Sequence, residues 1–106
     1  MNSLLNPDPF VNAVPSSPPL NVTREVAGSR SILLSWEPPE YSEHNGVING
    51  YSVHVFEVAT NNSFAFNRTS HTELLIQQLH PYYEYQCSVA ALTSVGKGPL
   101  SVPILV

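Results

Sequence analysis

A chain of 106 residues with 42% apolar side chains holds enough hydrophobic material for one core and too little length for two, so a single domain is expected. The formal net charge of −4, from 4 basic and 8 acidic residues with no run of either sign, offers no electrostatic footprint for a phosphate backbone or an anionic lipid surface. Nucleic acid is therefore not expected as a partner, nor is direct membrane insertion. Ten prolines beside one methionine, with β-branched and aromatic residues spread throughout, favour many short strands over long helices.

Residues 1–14 show no sustained periodicity, no basic start and no apolar run suited to a signal peptide or membrane anchor. They read as a linker or cloning overhang, and the domain is expected over residues 15–106. Pro15, Pro18 and Pro19 each fix φ and bias the preceding residue away from helix, which makes a stiff, extended entry. Period two then sets in. Leu20 and Val22 alternate with Asn21 and Thr23; after a turn at Gly28, Ile32, Leu34 and Trp36 alternate with Ser31, Leu33 and Ser35.

Glu37-Pro38-Pro39-Glu40 stops the second strand, and residues 39–47 read as a polar loop. A third strand over residues 48–57 places Tyr51, Val53 and Val55 on one face and Ser52, His54 and Phe56 on the other. Thr60-Asn61-Asn62-Ser63 breaks the pattern, residues 64–67 suit a short edge strand, and Leu74 and Ile76 mark a fifth. A sixth strand over residues 85–91 turns Tyr85, Cys87, Val89 and Ala91 inward. The Gly96-Lys97-Gly98-Pro99 turn leads to a seventh over residues 101–106. Seven strands separated by turn signals at this spacing predict an all-β, antiparallel, immunoglobulin-like sandwich.

Little in the chain speaks for chemistry. Cys87 is the single cysteine, which excludes an internal disulfide and a cysteine-based zinc site. His44, His54, His71 and His80 lack ligand spacing, nothing resembles a nucleophile elbow, and Gly96-Lys97-Gly98 lacks the rest of a phosphate loop. No metal, cofactor or catalytic activity is expected. Three sequons, Asn21-Val22-Thr23, Asn61-Asn62-Ser63 and Asn67-Arg68-Thr69, would accept N-glycans in a secretory pathway and favour an extracellular location.

The ordered set of motifs over residues 18–106 resembles a fibronectin type III domain. Pro18-Pro19-Leu20-Asn21-Val22 leads in, and Ser35-Trp36-Glu37-Pro38-Pro39 is similar to the family's Trp followed by prolines. Asn45-Gly46-Val47-Ile48-Asn49-Gly50-Tyr51 with Val53 and Val55 looks like its third strand. Leu79-His80-Pro81-Tyr82-Tyr83-Glu84-Tyr85 looks like the approach to its sixth, and Gly96-Lys97-Gly98-Pro99-Leu100-Ser101 like the turn into its seventh. An immunoglobulin reading of Tyr85-Gln86-Cys87 fails because no partner cysteine exists and the only Trp lies on the second strand. Cys87 is then a small buried hydrophobe.

The resemblance assigns Trp36, Tyr51, Leu79 and Tyr85 to the structural core, with Tyr85 as a tyrosine corner whose hydroxyl bonds back to nearby backbone. It implies a non-catalytic extracellular module, a spacer and protein-interaction domain in a multidomain adhesion protein or receptor such as a receptor-type phosphatase. An accessory linker module of a secreted polysaccharide-degrading enzyme is the alternative, and the sequons favour the former. Expected partners are neighbouring modules of the same chain and a protein ligand. Tyr41, Glu43, His44 and Lys97 are the candidate partner-binding loop residues, and Leu33, His54 and Phe56 a candidate apolar patch. No Arg-Gly-Asp and no Trp-Ser-x-Trp-Ser occurs.

Overall fold

The computed structural model describes residues 13–68, 71–81 and 83–106. Its strands form two antiparallel sheets. One is ordered β1 (Leu20–Gly28), β2 (Ser31–Glu37), β5 (Glu73–Ile76); the other β4 (Asn62–Arg68), β3 (Gly50–Glu57), β6 (Tyr85–Leu92), β7 (Ile104–Leu105). A 3-10 turn at Tyr41–Glu43 is the only helical element among the described residues. The expected seven-stranded sandwich is the observed architecture.

Strict alternation builds the core. Ile32 and Leu34 of β2 lie opposite Ile76 and Leu74 of β5, and with Trp36 they cover the inner face of the smaller sheet. Tyr51, Val53 and Val55 of β3 lie opposite Ala91, Val89 and Cys87 of β6 and cover the other. Because directly opposed residues in an antiparallel pair share a face, this register stacks buried side chains in rows. Burial pushes the Cys87 thiol up to about 11, so it stays protonated at neutral pH and packs as an apolar group. The Trp36 ring meets Tyr51 edge-on, centroids 5.4 Å apart and planes at 63°, joining the two sheets. Its backbone N–H donates to the Thr72 carbonyl at 2.9 Å, while the indole Nε1–H is buried and has no hydrogen-bond partner among the described residues.

Three departures from the sequence reading have physical causes. In β1, Leu20 and Val26 are exposed and only Val22 is half-buried, because register irregularities between Leu20 and Thr23 and between Val26 and Gly28 break the alternation. Asn21, at φ +52°, sits in the first of these. The last strand shrinks to Ile104–Leu105: Pro99 and Pro103 cannot donate to a ladder, and Ser101 joins β6 partly through its hydroxyl, which accepts from Val89 N–H at 2.9 Å. Leu33 does not join Phe56 and His54 in one patch, since it lies on the smaller sheet opposite Leu75 while they lie on the larger. Alternation assigns a face, not a sheet.

Trp36→Ala is expected to destabilise the domain by about 3–5 kcal/mol through lost contacts and a cavity. Trp36→Phe should cost clearly less, because it keeps an aromatic plate in the same space. Urea unfolding of the three proteins checks the order.

Candidate functional site

At one end of the sandwich, the loop expected to bind a partner is occupied by the chain's own leading segment. Ala13 N–H donates to the Asn45 carbonyl at 2.7 Å, the Ala13 carbonyl accepts from Thr93 Oγ1 at 2.6 Å, and Asn45 Nδ2 donates to the Val14 carbonyl at 3.1 Å. Glu43 receives Ser16 Oγ at 2.9 Å on one carboxylate oxygen and Ser17 Oγ at 3.2 Å on the other. Pro15 is fully buried beside Gly98, where a Cβ would stand 2.7 Å from the Pro15 carbonyl oxygen. Glycine there permits the close approach. Of the expected linker, the two described residues, Ala13 and Val14, are thus tied to the loops, and residues 1–12 lie outside the described part.

The other candidates are engaged as well. His44 donates through Nε2 to the Pro39 carbonyl at 2.8 Å and lies against the Tyr41 ring, centroids 5.4 Å apart. Lys97 Nζ donates to His54 Nε2 at 3.1 Å across the larger sheet. Desolvation, aided by the Lys97 charge, holds the His54 imidazole below its ordinary value of 6.5. Only Tyr41, 89% exposed, projects freely. Of the four side chains read as one surface, Glu43 holds the leading segment, His44 braces the loop, Lys97 reaches over the larger sheet to His54, and Tyr41 projects outward.

Near the start of β6, Tyr85 is buried, and its hydroxyl accepts from His80 N–H at 2.8 Å and donates to Glu57 Oε2 at 2.9 Å. Glu57 also receives Thr60 Oγ1 on its second oxygen. The backbone bond is the expected tyrosine corner. The carboxylate was not foreseen, although the signal existed: continuing the Tyr51, Val53, Val55 alternation by one step places Glu57 on the inner face, and it is only 5% exposed. Hydrogen bonds from Thr60 and Tyr85, with the nearby His80, hold its carboxyl below the ordinary value against the opposing effect of burial. Burial and the Glu57 carboxylate push the Tyr85 phenol up. Leu79, half-buried against the core, donates its N–H to the Arg30 carbonyl at 2.9 Å.

All three sequon asparagines are exposed: Asn21 in β1, Asn61 in the turn between β3 and β4 at φ +60°, and Asn67 in β4. Thr69 of the third sequon lies outside the described residues. Among the described residues no three His, Cys, Asp or Glu side chains group so as to hold a metal ion, and no helix is long and apolar enough to cross a membrane.

Two facing antiparallel sheets in this strand order, with a tyrosine corner at one end, define an immunoglobulin-like β-sandwich by architecture. The family model described as "Fibronectin type III domain" matches residues 17–106. The chain is 40% identical over 93 residues to tyrosine-protein phosphatase Lar of Drosophila melanogaster, covering 87% of this chain and 5% of that protein. It is 42% identical over 91 residues to receptor-type tyrosine-protein phosphatase F of Danio rerio, again 86% of this chain against 5% of the relative. Among solved structures, the FN5 domain of Drosophila Lar superposes with a TM-score of 0.71 at 34% identity, covering 88% of this chain and 95% of that one. The chain belongs to the fibronectin type III family. It spans about one-twentieth of the length of these curated relatives.

Two measurements follow from this geometry. Glu57, with its folded value lowered, contributes stability in full above the pH at which the unfolded carboxyl ionises, about 4.3, and loses it as pH falls through the folded value. The wild-type melting temperature should accordingly drop more steeply between about pH 5 and pH 3 than that of Glu57→Gln, and Tyr85→Phe should cost about 1–2 kcal/mol at neutral pH. By NMR titration His54 should ionise below 6.5, and Lys97→Met should move it upward by removing the neighbouring charge.

Proposed function

We propose that this chain is a non-catalytic module of the extracellular part of a multidomain adhesion protein or receptor, such as a receptor-type phosphatase, where it spaces neighbouring modules and presents a protein-binding surface. The supporting observation is one of proportion: a domain complete in its own core matches only about 5% of receptor-type relatives along 86–87% of its own length. Residues 15–106 form the module. Residues 13 and 14 are its bound leader, and the hydrogen bonds from Ala13 and Val14 to Asn45 and Thr93 set where a preceding neighbour would attach. Tyr41, the free aromatic at that end, is its protein-contacting side chain; Glu43, His44 and Lys97 support the loops around it.

The extracellular location is supported by the three exposed sequon asparagines, which we assign as N-glycan acceptors. Expressed behind a signal peptide in a eukaryotic host, the chain should be secreted as a folded monomer carrying glycans at Asn21, Asn61 and Asn67, as read by glycopeptide mass spectrometry. Intracellular retention, or secretion with all three sites empty, would overturn this reading.

A further inference from the structure

Among the described residues the two sheets end in four edge strands, and these are protected unequally. β5 is four residues long and β7 only two, too short to template a partner strand, and the β7 carbonyl of Leu105 is also capped by Arg24 Nε at 2.7 Å. β1 is nine residues long, yet its edge is broken by two register irregularities and carries Arg24 and Glu25. Bulges and charges of this kind are the usual deterrents to edge pairing. β4 has no register irregularity, and its one charged residue, Arg68, stands at its last position. It pairs with β3 residue for residue from Tyr51 opposite Arg68 to Glu57 opposite Asn62, and has no strand on its other side among the described residues. Residues 62–67 are all exposed, contain no proline or charge, and include Phe64 and Phe66 at 46% and 41% exposure.

This edge is also self-complementary. Antiparallel pairing of two copies about Ala65 would place Phe64 of each opposite Phe66 of the other, with no like charges opposed, and would continue the four-stranded sheet across a two-fold axis. An edge without register breaks that is uncharged over residues 62–67 and carries two exposed aromatic rings is an aggregation hazard for an exported domain. The sequons fall where the hazard lies. Asn61 immediately precedes β4 and Asn67 lies near its far end, while β5 and β7 carry no sequon.

We propose that N-linked glycans on Asn61 and Asn67 are the edge protection of β4, bracketing the strand and preventing it from pairing with β4 of a second copy. The inference rests on the secretory reading above. In each attachment the asparagine amide nitrogen displaces the pyrophosphate of a lipid-linked oligosaccharide, loses a proton and gains the glycosidic bond. Each bulky, hydrated chain then occupies the space a second strand would need.

The test uses the secreted chain, with site occupancy read by mass spectrometry, fold by circular dichroism and mass by sedimentation velocity over a concentration series. Wild type and Asn21→Gln should remain monomers. Asn61→Gln/Asn67→Gln should shift with concentration toward twice the protein mass, and Ala65→Lys added to it, setting two like charges across the two-fold axis, should restore the monomer. Trimming the glycans of folded wild type with an endoglycosidase supplies a second route should the double variant fold poorly. Occupied sites together with a double variant and a trimmed protein that both stay monomeric would sink the edge-protection proposal and leave the secretory reading standing. Empty sites in wild type would sink both. Association that survives Ala65→Lys would assign it to another surface and also overturn the proposal.

Discussion

The edge-on contact between Trp36 of β2 and Tyr51 of β3 is the point on which the two sheets are brought to register with each other. A sandwich of this size has no disulfide to join its layers, since Cys87 is alone and buried, so the sheets are held by apolar contact across the gap. A large, rigid ring that reaches from one sheet to the other sets their spacing, and smaller side chains such as Leu34, Val53 and Val89 fill the space around it to complete exclusion of water.

Around that core the polar groups perform fastening. Glu57, Tyr85, Thr60 and the His80 amide tie the end of β3 to the start of β6 at one end of the sandwich. At the end where the leading segment enters, Glu43, Asn45 and Thr93 hold residues 13–17. The fastening limits what the loops can do for an outside partner. A carboxylate already accepting two serine hydroxyls is a poor anchor for a ligand, because a newcomer would have to replace those bonds before adding any of its own. Tyr41 carries no such obligation, and its exposed ring can be buried at an interface without dismantling the fold.

The unequal protection of the sheet edges connects fold to location. Charges and bulges on β1 work in any compartment, whereas the protection proposed for β4 would require groups that only a secretory route adds. A domain arranged in this way is suited to a crowded ectodomain, where many copies of similar sheets lie close together.

Strand number, the inward sets on β2, β3 and β6, and the structural character of Trp36 and Tyr85 were legible in the sequence because each depends on local chemistry: a period of two, prolines that stop strands, aromatic residues at inward positions. The inward position of Glu57 follows from the same alternation, but a carboxylate on a buried face is explained only by Tyr85 and Thr60, which meet it in the folded chain. Sheet membership, the separation of Leu33 from Phe56, the capture of Ala13 by Asn45 and Thr93, and the bareness of β4 were decided by the tertiary structure alone. Each of these depends on which distant segments become neighbours. Alternation along a strand fixes the direction of a side chain, but what that side chain meets is set by long-range pairing and the burial it satisfies.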